Sequence, residues 1–214
     1  MSAPAVVLAN GSYPTHATPL SVLARAPFLC CCDGAAAQAL AHGLQPDAVV
    51  GDGDSLPPPL RARLAGILHL VAEQDDNDLT KATRFCVARG FRSLDYVAAT
   101  GGREDHTLAN IFLMARYLRD FGVRPRLFTD HGVFTPITGT VTLGSFPRQQ
   151  VSLFNVSCAH LSGEGLRWPA SAWPELWQGT LNEAAGSSFS LRADGVAIVF
   201  QTYAPKGQGE LEGA

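Results

Sequence analysis

Residues 46–55 read PDAVVGDGDS, and this stretch determines how the rest of the sequence is interpreted. Its apolar run at 48–50 is short and continuous, which is typical of a strand buried on both faces of a parallel sheet. Gly51 ends the run, and Asp52 and Asp54 follow it. In open α/β sheets, ligands bind beyond the carboxyl ends of the strands. The stretch therefore predicts a buried strand with a polar site at its end.

Similar apolar runs alternate with helix-like stretches through the first 130 residues. The other runs lie at 6–9, 28–32, 68–71, 96–99 and 126–128. The helix-like stretches lie at 18–25, 35–42, 58–65, 79–89 and 107–121. Asp78 and Asp105 stand just before two of these stretches, as N-capping residues do. This alternation predicts an α/β domain over residues 1–130, with an open, mostly parallel Rossmann-like sheet and helices on both faces.

The pattern changes after Asp130. Three runs, VFTPITGTVTLGSF from 133, QVSLFNVS from 150 and SFSLRADGVAIVFQTY from 188, are β-branched or alternating and are broken by Gly, Pro, Ser and Asn. Such runs are typical of antiparallel strands. We therefore predict a second, small all-β domain of sandwich-like type over residues 131–214.

The composition argues against a nucleic-acid-binding protein and against a membrane protein. The chain has 16 Lys and Arg against 19 Asp and Glu, and it has no basic cluster, so we expect no nucleic-acid partner. No apolar run approaches the roughly 20 residues of a membrane helix, and the first eight residues do not resemble a signal peptide. The five cysteines are odd in number and form no CxxC pair, which indicates reduced, packed thiols. We expect a cytoplasmic protein without a membrane partner.

Polar segments follow each of the first five predicted strands. They are Asn10-Gly11, Cys32-Asp33-Gly34, 51–55, 73–78 and 101–106. In a parallel sheet all five meet at one edge, where nearby carboxylates repel each other and a hard divalent cation such as Mg²⁺ relieves the repulsion. Lys81, Arg103 and the helix N-termini add positive charge there. The combination favours a magnesium–polyphosphate site.

Each of these residues also has a purely structural interpretation. The GDGDS segment could be an ordinary surface turn, and Asp78 and Asp105 could serve only as caps. Lys81 could be solvated, Arg103 could belong to a flexible loop, and His106 could be a packing residue. The sequence contains no GxxxxGK[ST], GxGxxG, GxSxG or HExxH motif, which disfavours a classical NTPase, a dehydrogenase, an α/β-hydrolase and a zincin.

Taken in order, the motifs resemble those of the thiamine pyrophosphokinase family. The matching segments are ANG at 9–11, CDGAA at 32–36, PDAVVGDGDS at 46–55, EQDDNDLTKA at 73–82 and GGREDHTLAN at 101–110, with VSLF at 151–154 and GLRW at 165–168 in the β-rich part. The resemblance implies transfer of the pyrophosphoryl group of ATP to the hydroxyl of thiamine, with Mg²⁺ as cofactor. The products would be thiamine diphosphate and AMP. It also implies a homodimer with the active site at the dimer interface, completed by the partner's β-domain.

The resemblance implies a role for particular residues. Asp52, Asp54 and Asp78 would be the catalytic and metal-binding carboxylates. Gln74 and Asn182 would contact thiamine. The ATP-binding positions would be Asn10, Asp33, Gly34, Lys81, Gly102, Arg103, Asp105, His106 and Asn110.

One segment departs from the family pattern. Where the family commonly has a Ser-Asn pair followed by an aromatic residue, this sequence has Leu181-Asn182 and no aromatic residue after it. Trp168, Trp173 or Trp177 could supply a stacking face instead, or all three could fill the core. Two alternative functions stay open at this point. They are a related pyrophosphokinase acting on another heterocyclic alcohol such as a pterin, and a catalytically silent sensor of nucleotide or thiamine.

Overall fold

A computed structural model describes residues 3–205, which form two compact units. The first unit ends at Asp130 and the second begins at His131. The elements of the first unit are β1 (Ala5–Leu8), α1 (Ala17–Ala24), β2 (Leu29–Cys32), α2 (Ala35–Ala41), β3 (Ala48–Gly51), α3 (Pro58–Arg63), β4 (Leu68–Leu70), α4 (Asp78–Ala88), β5 (Ser93–Val97), α5 (Glu104–Phe121) and β6 (Arg124–Phe128).

The first unit is built on a parallel sheet with strand order β6-β5-β1-β2-β3-β4. Every pairing between neighbours in this order is parallel. Each residue of β1, β2 and β3 is buried, which explains why these strands are continuously apolar. Crossovers between parallel strands are right-handed, so α1–α3 cover one face and α4 and α5 cover the other. The predicted Rossmann-like sheet with helices on both faces is confirmed.

The strand order reverses between β1 and β5, because the chain moves outward from β1 to β4 and then returns to β5 on the other side of β1. A crevice opens where neighbouring strands send their connections to opposite faces of a sheet. The segments after β1 and β5, which begin at Ala9 and Ala98, therefore flank the natural binding position of this fold.

Two predicted helix starts were wrong. Helix α4 is capped by Asn77, whose Oδ1 accepts the N–H of Thr80 at 3.0 Å, so Asp78 is the first helical residue rather than the cap. Helix α5 begins at Glu104, three residues before the predicted start, and the capping position is Arg103, whose side chain makes no capping bond. The polar first turn of α5 is exposed, and it therefore lacks the apolar stripe from which the start was predicted.

The second unit consists of antiparallel strands. Its elements are β7 (Gly132–Gly144), β8 (Gln149–Asn155), β9 (Leu161–Glu164), a short 3₁₀ helix (Leu176–Gly179), β10 (Asn182–Glu183) and β11 (Ser188–Pro205). Strand β11 pairs with β7 along one side, and with β9 and then β8 along the other. Strand β10 extends the sheet beyond β8. The predicted β-rich C-terminal part is confirmed.

One face of these strands forms the core of the second unit. Alternate residues of β11, namely Phe189, Leu191 and Ala193, are buried together with Val151 and Leu153 of β8. Three residues of β11 lie between the partners of Gly139 and Ile137, so the strand bulges there. Ala193 and Ala197 are an even number of residues apart, and both remain in the core.

All five cysteines are buried and unpaired, as predicted for packed thiols. Burial raises the pKa of the Cys31 thiol to about 12, so that side chain is neutral near pH 7. Among residues 3–205, no helix is both long and apolar enough to cross a lipid bilayer.

Candidate active site

A cavity of about 550 Å³ lies in the first unit, where the strands end and α4 and α5 begin. Ten of the residues predicted for the site line it: Asn10, Gly34, Asp52, Gln74, Asp78, Lys81, Gly102, Arg103, His106 and Asn110. Residues that the sequence analysis did not single out also line it, among them Ser55, Asp76, Asn77, Thr100 and Thr107. The cavity includes the segments after β1 and β5, so it occupies the reversal point of the strand order.

The loops after β1 and β5 touch each other at Gly11. Its backbone N–H donates to the carbonyl oxygen of Ala98 at 2.7 Å, and a Cβ at this position would lie 2.5 Å from the same oxygen. Only glycine permits this close approach. Ala98 and Gly101 have φ of 55° and 81°, so the second loop turns sharply at both residues.

Three carboxylates, those of Asp52, Asp76 and Asp78, line the cavity. The Oδ1 of Asp52 accepts the backbone N–H of Asp54 at 3.1 Å, and this bond is the main reason that the pKa of Asp52 is lowered. Burial raises the pKa of Asp78, and the negative charges of Asp52 and Asp33 act in the same direction. The nearly buried ammonium of Lys81, 3.4 Å from Oδ1 of Asp78, acts in the opposite direction. The cavity thus contains repelling carboxylates next to one buried cation.

Asp54 lies outside this cavity. The chain turns at Gly53, where φ is 85°, and Asp54 is exposed on that turn. In an extended segment, Asp52 and Asp54 would share a side because they are two residues apart, and the turn removes that relation.

Asp33 lies behind the cavity wall and is 1% exposed. Its Oδ2 accepts the backbone N–H of Ser55 at 2.9 Å, so it joins the end of β2 to the loop after β3. Its Oδ1 is buried and has no hydrogen-bond partner. A buried carboxylate oxygen without a partner is costly, and it adds unbalanced negative charge behind Asp52 and Asp78.

The carboxylates of the cavity suit a Mg²⁺ ion that is held partly by the protein and partly by the phosphates of a substrate. Among residues 3–205, no group of three or more His, Cys, Asp or Glu side chains could hold a metal ion by itself. Mg²⁺ is usually bound by one or two carboxylates, together with water and the phosphates of a substrate, rather than by a complete protein cage. Asp52 and Asp78, with the unbalanced charge of Asp33 behind them, fit that mode.

Asn110 connects the elements around the cavity. Its amide donates to the carbonyl of Ala99 at 2.8 Å, and its Oδ1 accepts from the side chain of Asn77 at 3.1 Å. It therefore ties α5 to the end of β5 and to the start of α4. Asp105 does not line the cavity; it is exposed and makes an ion pair of 2.6 Å with Arg103, which is also exposed.

An arginine network that was not predicted from the sequence lies behind the loop before α4. Asp76 lines the cavity, accepts a hydrogen bond from Arg116 at 2.6 Å and forms an ion pair of 3.1 Å with Arg84. Arg84 also pairs with Glu73. These ion pairs hold the loop that contains Gln74 against α4 and α5. The run of acidic residues at 73–78 is visible in the sequence, but their arginine partners are 11 and 40 residues away.

The second unit has a smaller cavity of about 260 Å³, lined by Trp168, Trp173, Gln178, Gly179, Thr180, Leu181 and Asn182. Trp173 packs against the core, whereas Trp168 is 46% exposed. Trp177 is the most exposed of the three tryptophans and does not line the cavity. Asn182 belongs to the cavity wall, but it is 4% exposed and its amide bonds to the backbone of Trp168.

Leu181 has an unusual backbone conformation. Its φ is 61°, in the left-handed region that costs a side-chain-bearing residue about 1–2 kcal/mol, and its side chain is 65% exposed. A strained, exposed apolar residue at the edge of a cavity is typical of a binding site.

Comparison with known structures shows the fold. Thiamine pyrophosphokinase from Bacillus subtilis superposes with a TM-score of 0.76 at 20% identity, covering 94% of this chain and 99% of that one. Thiamin pyrophosphokinase from Geobacillus thermodenitrificans gives 0.76 at 22% identity, covering 94% and 98%. The enzyme from Candida albicans gives 0.75 at 16% identity, covering 92% and 89%. No curated protein matches the chain.

Comparison with family sequence models identifies the family. The model described as the thiamin pyrophosphokinase catalytic domain matches residues 20–124. The model described as the thiamin pyrophosphokinase substrate-binding domain matches residues 132–200. Because these two models together match most of its length, the chain belongs to the thiamin pyrophosphokinase family and is an enzyme of that family.

Proposed function

We propose that this enzyme transfers the pyrophosphoryl group of ATP to the hydroxyl of thiamine, giving thiamine diphosphate and AMP. The observation that supports this best is the cavity of the first unit, which combines the carboxylates of Asp52 and Asp78 with a buried lysine and the starts of two helices. Phosphoryl-type transfer needs little covalent help from the protein, and its rate comes mainly from positioning and charge stabilisation. A cavity with these groups is suited to that task.

The triphosphate of ATP would lie against the cations and helix starts. Lys81 is held in place by burial and by Asp78, so its ammonium is positioned before ATP arrives. Arg103 is exposed and can turn toward the transferred group once its pairing with Asp105 breaks. The first N–H groups of α4 and α5 are additional donors for phosphate oxygens. Asn10, Gly34, Gly102, His106 and Asn110 would bound the nucleotide, with Asp33 and Asp105 behind or beside it.

Mg²⁺ would be held by Asp52 and Asp78 together with the phosphates. Bound there, it would neutralise negative charge on the leaving and transferred groups. Asp54 is our third proposed ligand, and it ranks behind the other two because it is exposed outside the cavity wall. For the proton of the alcohol we propose Asp78 over Asp54, because Asp78 lines the cavity.

We propose one candidate contact region for thiamine in each unit, and the two are described separately. Gln74 lines the first cavity and is our proposed contact near the transferred group. The second cavity, of about 260 Å³, has Trp168 and Trp173 in its wall and is small enough to suit a single flat ring system. Aromatic faces attract both a flat pyrimidine and a cationic thiazolium. Asn182 lies in the same wall.

The homodimer is also part of this proposal, with each active site completed by the β-domain of the partner. A mixing experiment tests it: Asp52→Ala protein, which should be inactive, and Trp168→Ala protein, which should keep about a tenth of the activity at thiamine concentrations well below KM, are unfolded together and refolded. About a quarter of wild-type activity should return, because half of the random dimers contain one intact site. A monomer by light scattering, or no recovered activity, would contradict the shared site.

The reaction itself is tested by measuring AMP release from ATP and Mg²⁺ with and without thiamine, and by identifying the product by mass. Thiamine-dependent AMP together with thiamine diphosphate supports the proposal. AMP release that depends on a pterin alcohol instead indicates the related pyrophosphokinase. Nucleotide binding without AMP release from either acceptor indicates the sensor. The Asp47→Asn variant serves as a control, since Asp47 is exposed and outside the cavity.

We also propose the cytoplasm as the compartment, since five unpaired thiols suit a reducing environment.

A further inference from the structure

The segment containing Trp168 lies beside β10. Leu166 forms an antiparallel bridge with Ala184, and the N–H of Arg167 donates to the carbonyl of Glu183 at 2.8 Å. Trp168 is the next residue, and regular backbone pairing does not continue to it. Asn182 lies opposite Trp168, and its side chain makes hydrogen bonds to Trp168 where the backbone pairing ends.

Asn182 binds the backbone of Trp168 at two points. Its Oδ1 accepts the N–H of Trp168 at 3.2 Å, and its Nδ2 donates to the carbonyl of Trp168 at 2.9 Å. The same Oδ1 accepts the N–H of Glu183 at 2.8 Å. A primary amide can donate twice and accept twice, so three of its four positions are used within the protein. Because Asn182 is also 4% exposed, little of its hydrogen-bonding capacity remains for a ligand.

The ring of Trp168 is the exposed end of this arrangement. The ring lines the second cavity and is 46% exposed. The guanidinium of Arg167 lies 4.7 Å from the ring centroid, and it also approaches Glu183 at 3.5 Å. One contact therefore holds the ring while Asn182 holds the backbone beneath it, which fixes the orientation of an aromatic surface before a ligand arrives.

We propose that Asn182 is a positioning residue that acts on thiamine through Trp168, rather than a direct contact to thiamine. This inference rests on the proposed function, because it assigns the ring of Trp168 as the surface for the heterocycle. It replaces the direct role that the family resemblance implied for Asn182.

The first experiment needs no substrate. Substituting Trp173→Phe and Trp177→Phe leaves Trp168 as the sole tryptophan of the protein. Adding Asn182→Ala should lower the fluorescence anisotropy of Trp168 and increase its quenching by acrylamide. Unchanged anisotropy and quenching would overturn the proposal. If the alanine variant does not fold, Asn182→Asp replaces it, because a carboxylate still accepts the two N–H groups but cannot donate to the Trp168 carbonyl.

The second experiment is a double-mutant cycle on KM for thiamine. Trp168→Ala and Asn182→Ala should each raise this KM by about tenfold, with little change in KM for ATP. If Asn182 acts only through Trp168, the double variant should be no worse than Trp168→Ala alone. Additive effects would overturn the proposal. Trp177→Ala is the matched control, because Trp177 belongs to the same segment but does not line the cavity.

The two experiments separate two kinds of failure. A wild-type protein that releases no thiamine-dependent AMP would refute the proposed function, and the fluorescence result would still decide whether Asn182 holds Trp168. An active wild-type protein with additive variants would refute only the inference.

Discussion

Replacing Asp33 by Asn should stabilise the ligand-free protein while weakening its response to Mg²⁺ and ATP. Asp33 is fully buried, and its Oδ1 has no partner. An asparagine of the same shape can still accept the N–H of Ser55, and it removes a charge that repels Asp78. The prediction is therefore that a residue near the site costs stability in the absence of ligand.

The size of the expected stability change follows from comparing a buried aspartate with a buried asparagine at position 33. A buried, unsatisfied group costs about 1–3 kcal/mol, and more when it is charged. The asparagine leaves a neutral amide unsatisfied in place of a charged oxygen, so the net gain should be about 1–2 kcal/mol. For a protein of this size, that corresponds to a rise of about 2–8 °C in Tm.

The assay is thermal unfolding without divalent ions, and then with saturating Mg²⁺ and ATP. Ligands that bind the folded state raise Tm, and this rise should be smaller for Asp33→Asn than for the wild type. Asp47→Asn is the control, because Asp47 accepts one backbone N–H but is exposed to water, and its Tm should stay close to that of the wild type. A lower Tm of ligand-free Asp33→Asn would refute the reasoning, since the carboxylate would then be stabilising.

Three further predictions concern stability and reactivity. A thiol reagent at about pH 8 should label none of the five cysteines before the protein unfolds, because burial raises the pKa of Cys31 to about 12 and the other four thiols are also buried. Rapid labelling of the native protein would contradict this prediction. Gly179→Ala should destabilise the second unit by about 3 kcal/mol in urea unfolding, because a Cβ would collide with the carbonyl oxygen of Leu153. Gly186→Ala is the control, and it should leave the stability nearly unchanged because the space around Gly186 is open. Leu181→Asn should raise the stability of the unit by about 1 kcal/mol, since asparagine tolerates the left-handed conformation and little packing is lost; a lower unfolding midpoint would show that the leucine stabilises the fold.

The parallel sheet could be predicted because its central strands β1, β2 and β3 are buried on both faces and are therefore continuously apolar in sequence. The ends of its helices could not be located as well, because they depend on local hydrogen bonds. Asn77 and Asp78 are both good capping residues, and only the geometry of the loop makes Asn77 the cap of α4. The short strand β10 and the 3₁₀ helix fall in a stretch rich in Pro and Trp, where neither period is visible.

The candidate site could be predicted to the level of its segments but not of its side chains. The polar residues after the first five strands do meet in one cavity, because parallel strands end at the same edge. The direction of each side chain within a segment depends on single backbone angles. The turn at Gly53 keeps Asp54 out of the cavity that Asp52 lines. The side-chain amide of Asn182 is hydrogen-bonded to the backbone of Trp168. Neither relation leaves a pattern in the sequence.

Strand β11 gives the second unit a particular order of assembly during synthesis. It is the last strand that the structure describes, yet β7, β8 and β9 all use it as their partner. While the ribosome is still making β11, these three strands lack the hydrogen-bonding edge that they share. The strands of the first unit are all translated earlier, so that unit can fold while the second remains open. Exposed strands are prone to aggregation during that interval, and slow translation through residues 188–205 would lengthen it.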